Sequence, residues 1–339
     1  MVDELKRKNL KKIIIIISVI ILILMFAIID TFTGYANISF KEVLLAIFNP
    51  KSLPNSTIII VRKLRLPIAI MAILVGMSLG SSGALMQTIL HNPLASPYTL
   101  GIGAGASFGA SLGILFGFND FGIVVLAFVF AMLISSIIYL IGRFTNMTTN
   151  KMTLTGIALL FLFQALQSFL QYMASEDQNQ QIVFWTFGSL QKADNVKVLI
   201  LLVAFAVIFP LMIINSWKYN ALLMGDEKAE SLGIDSNRLK IITFLYISIL
   251  ASLSVCFTGP IGFIGIAGPH MARSIAGDDH RFYLPLSALL GALILSLADI
   301  LSKLVMKGTI FPIGIITSLI GVPFFVAIIF RGKKQWVLL

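Results

Sequence analysis

The sequence predicts an all-α polytopic membrane protein of about ten transmembrane helices, and three observations carry that expectation. The first is composition: of 339 residues, 58% are hydrophobic and 12% charged, with a mean hydropathy of +0.97, whereas soluble domains carry about 25% charged residues. A chain with so little polar surface cannot cover a core in water, so its solvent is lipid. Soluble enzyme folds and disorder are excluded. The second observation is a series of charge-free windows, each long enough for a crossing of about 20 residues. The third is that proline and glycine interrupt the two longest windows.

Taken in chain order, a basic tail over 1–12 precedes the first apolar window, 13–29. This pairing is also the pattern of a signal peptide, but no small-x-small cleavage site follows Ile29, so an uncleaved span is expected. Window 66–119 is broken at His91-Asn92-Pro93 and reads as two spans. Windows 121–142 and 152–175 give the next two, and the aromatic stretch Phe184–Leu190 then fits a half-helix at the membrane interface. Window 198–217 leads into a charged loop over 218–240. Window 241–272 is broken at Gly259-Pro260, leaving one full span and a short glycine-rich segment that begins near Ile261. Windows 282–298 and 308–330 complete ten, with a tail over 331–339. The chain 1–339 reads as a single transmembrane domain.

An even number of crossings puts both termini on one side, and the distribution of basic residues makes that side cytoplasmic in the cell membrane. Lys6, Arg7, Lys8, Lys11, Lys12, Arg143, Lys151, Lys218, Lys228, Arg238, Lys240, Arg273, Arg281, Arg331, Lys333 and Lys334 all fall there. The formal charge of +10 is explained by this topology and by anionic lipid, with no nucleic-acid partner implied. Lys41, Lys51, Arg62, Lys63 and Arg65 break the rule on the outer side, which suggests an acidic partner there. The alternative is the ordinary scatter of short loops. Cys256 alone excludes a disulfide framework, and His91, His270 and His280 are too scattered for a metal site. No cofactor is expected on this chain.

Gly101, Gly105, Gly109 and Gly113 recur every four residues, as do Gly76 and Gly80, which predicts close helix packing with pore lining as the alternative. They form no phosphate loop, because no Gly-Lys-Ser/Thr follows. Within 218–240, Leu222, Leu223, Ala229 and Leu232 can gather on one side of short helices ending at Gly233. The acids Asp226, Glu227, Glu230 and Asp235 favour docking of a partner over an anionic lipid surface. The stretch Gly259–Arg273 holds four glycines, Gly259, Gly262, Gly265 and Gly268, and two prolines. It cannot be helical throughout, and broken backbone at membrane depth reads as a moving or pathway-lining element. His270 within it suits a structural hydrogen bond better than proton carriage. Asp299 and Lys303 share a helix face and make either a local ion pair or an intramembrane functional carboxylate.

Several stretches together resemble the FecCD-type permeases, the membrane subunits of importers for iron–siderophore, haem and cobalamin. They are Arg65-Leu66-Pro67, Gly83–Gln87 with Asn92–Pro97, Gly225-Asp226-Glu227 with Ala229 and Ser231-Leu232-Gly233, Gly259–Arg273, and Asp279-His280-Arg281 with Leu284-Pro285. The resemblance covers roughly 13–331 and implies a type II ABC importer permease fold. It further implies two permeases, as a homodimer or a heterodimer, with two ATPases that bind ATP and Mg, and an outside binding protein. The loop after the sixth span would dock the ATPase, assigning Gly225, Asp226, Glu227, Ala229, Leu232 and Gly233 to coupling. Glu230 stands where the family often has arginine. Family arginines beside the second span meet glutamates of the binding protein. Arg65 matches the first of these, Ile68 stands in place of the second, Arg62 or Lys63 can substitute, and Lys303 matches a further basic residue near the ninth span. Aligned through Leu154-Thr155-Gly156, the family's inner gate falls at Thr149 and Asn150.

The sequence therefore reads as a permease that carries a metal chelate inward by alternating access, not itself an enzyme, since hydrolysis belongs to the partner. An ion-coupled secondary transporter would need ion-binding groups at mid-membrane, and Asp299 alone comes close. An intramembrane enzyme would need a nucleophile and base that converge, and none do.

Overall fold

The computed structural model describes residues 2–34, 36, 38–145, 149–305 and 311–331, apart from the side chains at 2–6, 51, 149 and 324–331. Every regular element among them is helical. They are α1 (Val2–Phe32), α2 (Phe40–Phe48), α3 (Asn55–Ile59), α4 (Leu66–Ile89), α5 (Ile102–Leu115), α6 (Asp120–Phe144), α7 (Thr149–Met173), α8 (Glu176–Thr186), α9 (Asn195–Ile214), α10 (Ser216–Leu222), α11 (Asp226–Ser231), α12 (Ser236–Thr258), α13 (Ile264–Ala276), α14 (His280–Leu304) and α15 (Ile313–Arg331). A π-helical turn over Ile60–Arg65 connects α3 to α4. Lys333 and Lys334, with most of the tail 331–339, lie outside the described residues.

Six of these helices are long and apolar enough to cross a membrane: α1 from Arg7, α6, α7 from Asn150, α9, α12 and α14. The helix α4 sits at the centre, against α14, α13, α12 and α9. Its sequence explains the position, since it is apolar or small on every face and a helix without a polar face is stable only when surrounded. Two of the hydroxyls it carries are turned back on their own helix, Ser81 donating to the Met77 carbonyl at 2.8 Å and Thr88 to the Ala84 carbonyl at 2.9 Å. By contrast α7 leaves Leu154, Phe161, Phe169 and Tyr172 exposed, a surface suited to lipid.

The glycines bring backbones together. A Cβ on Gly76 or Gly80 would overlap backbone of Gly291, Ala292 or Ser287 in α14, and one on Gly83 would overlap the Gly265 carbonyl of α13. Gly105 and Gly109 stand in the same way against the Phe130 and Leu126 carbonyls of α6. The four-residue repeats are therefore packing seams. Gly101 does not belong to the face of α5; it stands before that helix with φ +83°.

Several boundaries differ from the expected ones for local reasons. The apolar stretch after Pro93 yields only α5, because 90–101 is taken up by turns: the Asn92 carboxamide accepts from the Leu94 amide, and Ser96 and Thr99 bond each other. The window 198–217 breaks at Asn215, which ends α9 and begins α10. The interfacial helix lies earlier than Phe184–Leu190: a Ser175/Gln178 capping box starts α8, which stops at Thr186 before Gly188 at φ +72°. The glycine-rich segment stays irregular to Phe263, itself at φ +66°, and becomes helical at Ile264.

Candidate functional site

The bundle has two ends. At one gather the N-terminal parts of α1, α12 and α14, the exit of α4, and the short helices α10 and α11. Gly225, at φ +106°, turns the chain into α11. Gly233, at φ +78°, ends it, with its amide on the Glu230 carbonyl at 2.9 Å and the Ile234 amide on the Ala229 carbonyl at 3.1 Å. This double bond pattern is the C-terminal closure that glycine allows. Ala229 is fully buried, while Glu227, Lys228, Ser231, Leu232 and Gly233 face solvent, Leu232 at 65% exposure. The expected apolar side of this loop thus holds Leu222 and Ala229 but not Leu232, which the closure at Gly233 turns outward.

Two contacts tie α11 to α12. Lys240, 3% exposed, donates to Asp226 Oδ2 at 2.6 Å, and the Ser236 hydroxyl donates to Glu230 Oε1 at 2.7 Å. A polar junction lies alongside. The Asn220 side-chain oxygen Oδ1 accepts from the His280 amide at 2.8 Å and from His280 Nδ1 at 2.9 Å, and its Nδ2 donates to Asp279 at 3.0 Å. The backbone bond orients the carboxamide, so the proton of the fully buried imidazole is on Nδ1. Nε2 meets the Thr88 hydroxyl at 2.8 Å. Burial pushes the Asp279 carboxyl up, but hydrogen bonds from Arg281 and Asn220 outweigh it and bring it down to about 2. Arg281 lies over the Trp217 ring at 4.4 Å.

At the opposite end, the cations expected to meet a partner outside are placed otherwise. Arg65 is 6% exposed and donates to the carbonyls of Thr31, Phe32 and Ala36 at 3.1, 3.2 and 2.6 Å, closing the end of α1. Lys303 is buried between Asp30 at 2.8 Å and Asp299 at 2.7 Å. Arg62 donates to the Ala46 and Ile47 carbonyls at 2.6 and 2.7 Å, closing α2. Orphan carbonyls at a helix end need donors, and a buried ammonium needs carboxylates; these demands bury Arg65 and Lys303, while Arg62 stays exposed with part of its guanidinium committed. Lys63 is exposed.

Between the ends, a cleft of about 520 Å³ is bounded by Tyr98, Thr186, Phe187, Gly262, Ile315 and Ser318 among others. Its wall is apolar with a few hydroxyls, a lining that suits a bulky neutral or shielded solute. Of the three glycines expected along a pathway, Gly262 is on this cleft. Gly265 and Gly268 instead face backbone or side chains of α4, α14 and the Ser96-Pro97 turn, where an added Cβ would sit 3.1–3.3 Å from the nearest atom. Asn150 is exposed at the start of α7, and the Thr149 side chain lies outside the described residues. Asn220, Tyr98 and Phe187 were not legible as site residues, because the groups they meet are remote in sequence, and Lys240 was read only as one of the loop's bases. Among the described residues, no three His, Cys, Asp or Glu side chains gather to hold a metal ion.

Comparison with known proteins places the whole arrangement. The model of the FecCD transport family matches residues 19–331. An Fe(3+)-citrate import system permease protein of Bacillus subtilis is 33% identical over 97% of this chain and 98% of its own length. A hemin transport system permease protein of Yersinia pestis is 36% identical over 80% of this chain and 83% of its own. Among solved structures, an inward-facing metal-chelate-type ABC transporter superposes with a TM-score of 0.83 at 28% identity, over 94% of this chain and 99% of that one.

Proposed function

The chain belongs to the FecCD transport family, and from that premise we propose that it is the membrane-spanning permease subunit of an ABC importer that moves a ferric chelate into the cell. Ten of the helices, α1, α4, α5, α6, α7, α9, α12, α13, α14 and α15, cross or enter the bilayer in this reading. Both termini and α11 are then cytoplasmic. The permease pairs with a second copy or a related chain, receives its cargo from a binding protein outside, and leaves ATP hydrolysis to a partner ATPase.

The observation that carries the reading is α11: a short helix with an exposed acidic and apolar surface, closed at Gly233 and tied to α12 through Asp226 and Glu230. A segment built this way offers a shape to a partner and passes its displacement to a long helix. On the outer side, Lys63 and any uncommitted N–H of Arg62 remain for a binding protein, and Arg65 and Lys303 support the surface from below. The alkane-like wall of the cleft with Tyr98, Thr186 and Ser318 suits a chelate whose metal is wrapped by its ligand.

The test is purification of the tagged permease together with candidate ATPase subunits, compared with a Glu227→Ala, Gly233→Trp double substitution. The wild type is expected to retain a stoichiometric ATPase and the double variant to lose it at equal membrane abundance. A permease that binds no ATPase, or an association indifferent to this loop, contradicts the assignment.

A further inference from the structure

The two oxygens of Asp226 face different elements. Oδ2 takes the Lys240 ammonium of α12 at 2.6 Å. Oδ1 is closed off from solvent without a hydrogen-bond partner, and His91 Nε2 stands 3.9 Å from it. His91 ends the α4 exit with φ +43°, a conformation rare for a residue with a Cβ. It opens the turn that leads through Asn92-Pro93 to Tyr98 on the cleft. The Lys240 side chain is 4% exposed and that of Asp226 45%, so Asp226 is the half-exposed acid that meets an enclosed ammonium. Removing either member leaves the other unpaired, whereas exchanging both keeps a pair. Three elements therefore meet at one side chain: α11, the first turns of α12, and the turn that joins α4 to α5.

We propose that Lys240 and His91 are positioning residues for transport, making Asp226 a fixed joint through which α11 moves α12 and the α4–α5 turn as a unit. The inference rests on the coupling role given to α11. Asp226 thereby serves the permease's own interior, and contact with the ATPase falls to the exposed Glu227, Lys228, Ser231 and Leu232. Without the joint, the Ser236–Glu230 bond is what remains of the two contacts tying α11 to α12, and a displacement of α11 reaches α12 and the cleft only weakly.

The experiment uses the complete importer in proteoliposomes and follows ATP hydrolysis beside uptake of radiolabelled ferric citrate, a ferric hydroxamate or haemin, whichever the wild type carries. Lys240→Met is expected to lower uptake about tenfold while the ATPase co-purifies and ATP is still hydrolysed, because an unpaired Asp226 no longer holds α12. Lys240→Arg is expected to keep most of the uptake, and the exchange Asp226→Lys with Lys240→Asp to recover several-fold over Lys240→Met. Wild-type uptake in Lys240→Met overturns the proposal. So does an exchange variant no better than Lys240→Met, or a monodisperse Lys240→Met that has lost the ATPase. If Lys240→Met aggregates, His91→Ala decides: uptake reduced with hydrolysis retained supports the joint, and unchanged uptake overturns it. A wild-type preparation that holds no ATPase contradicts the family-based reading instead, and leaves the ion pair itself to be judged by the stability of the exchange variant.

Discussion

Lys303 and Arg65 illustrate how a charge in a membrane protein is used where the sequence alone suggests another use. Lys303 bridges Asp30 and Asp299 with all three side chains buried, so Lys303→Met leaves two carboxylates facing each other without a cation. Breaking a buried pair in this way costs about 3–5 kcal/mol. The expected outcome is a large fall in the melting temperature or in folded yield, read by fluorescence-detected size exclusion. Asp299→Asn is expected to cost less, since Asp30 still holds the ammonium. The spacing of Asp299 and Lys303 announced the local pair. Asp30, 273 positions from Lys303, and the inward turn of Arg65 onto carbonyls of α1 were not legible, because composition says that a loop is basic and not where a guanidinium points. The Asp279 carboxyl provides a pH test. It lies at about 2 against an ordinary 3.8, so the unfolded chain binds this proton more readily. Its contribution is present above about pH 4 and is lost as pH falls through about 2. Melting curves in detergent are expected to show that Asp279→Asn is less sensitive than wild type across this acid range; equal slopes would contradict the assignment.

The helices themselves were legible where their signal is chemical and illegible where it is geometric. Charge-free windows located α4, α6, α7 and α9 to within about three residues, since lipid tolerates few charges in a span, and fell short at the charged ends of α12 and α14. They could not show that 90–101 is a set of turns, because Asn92, Pro93, Ser96 and Thr99 bring no charge. Nor could they show that α1 extends from its apolar window through a basic turn to Val2. The glycine repeats were legible because small residues four apart have one main use between helices. They also make a prediction at this scale. Gly80→Val places side-chain atoms in the Ser287 backbone of α14 and is expected to destabilise the bundle by about 3 kcal/mol or more. Gly117→Ala, at φ +69° with open space around it, meets only backbone strain of about 1 kcal/mol and is expected to keep the folded yield. Equal yields would mean that the α4–α14 seam is looser than described. The apolar face expected to include Leu232 fails for a related reason: the helical period ends with the helix, and the closure at Gly233 redirects the last residue.

As a whole molecule, the chain joins an α11 end rich in polar junctions to a cleft by way of α12, α13 and the α4–α5 turn. Its match to the family and to a metal-chelate-type transporter of known structure gives that layout a purpose, and the central claim is that transport is driven by ATP through this permease. The most direct measurement is uptake of radiolabelled ferric citrate, a ferric hydroxamate and haemin into proteoliposomes holding the complete importer. ATP is supplied or withheld on the α11 side, with and without a protonophore. The account predicts uptake of one of these chelates that requires ATP, is abolished by the Glu227→Ala, Gly233→Trp substitutions, and is indifferent to the protonophore. Uptake that proceeds without ATP and collapses with the proton gradient would contradict it.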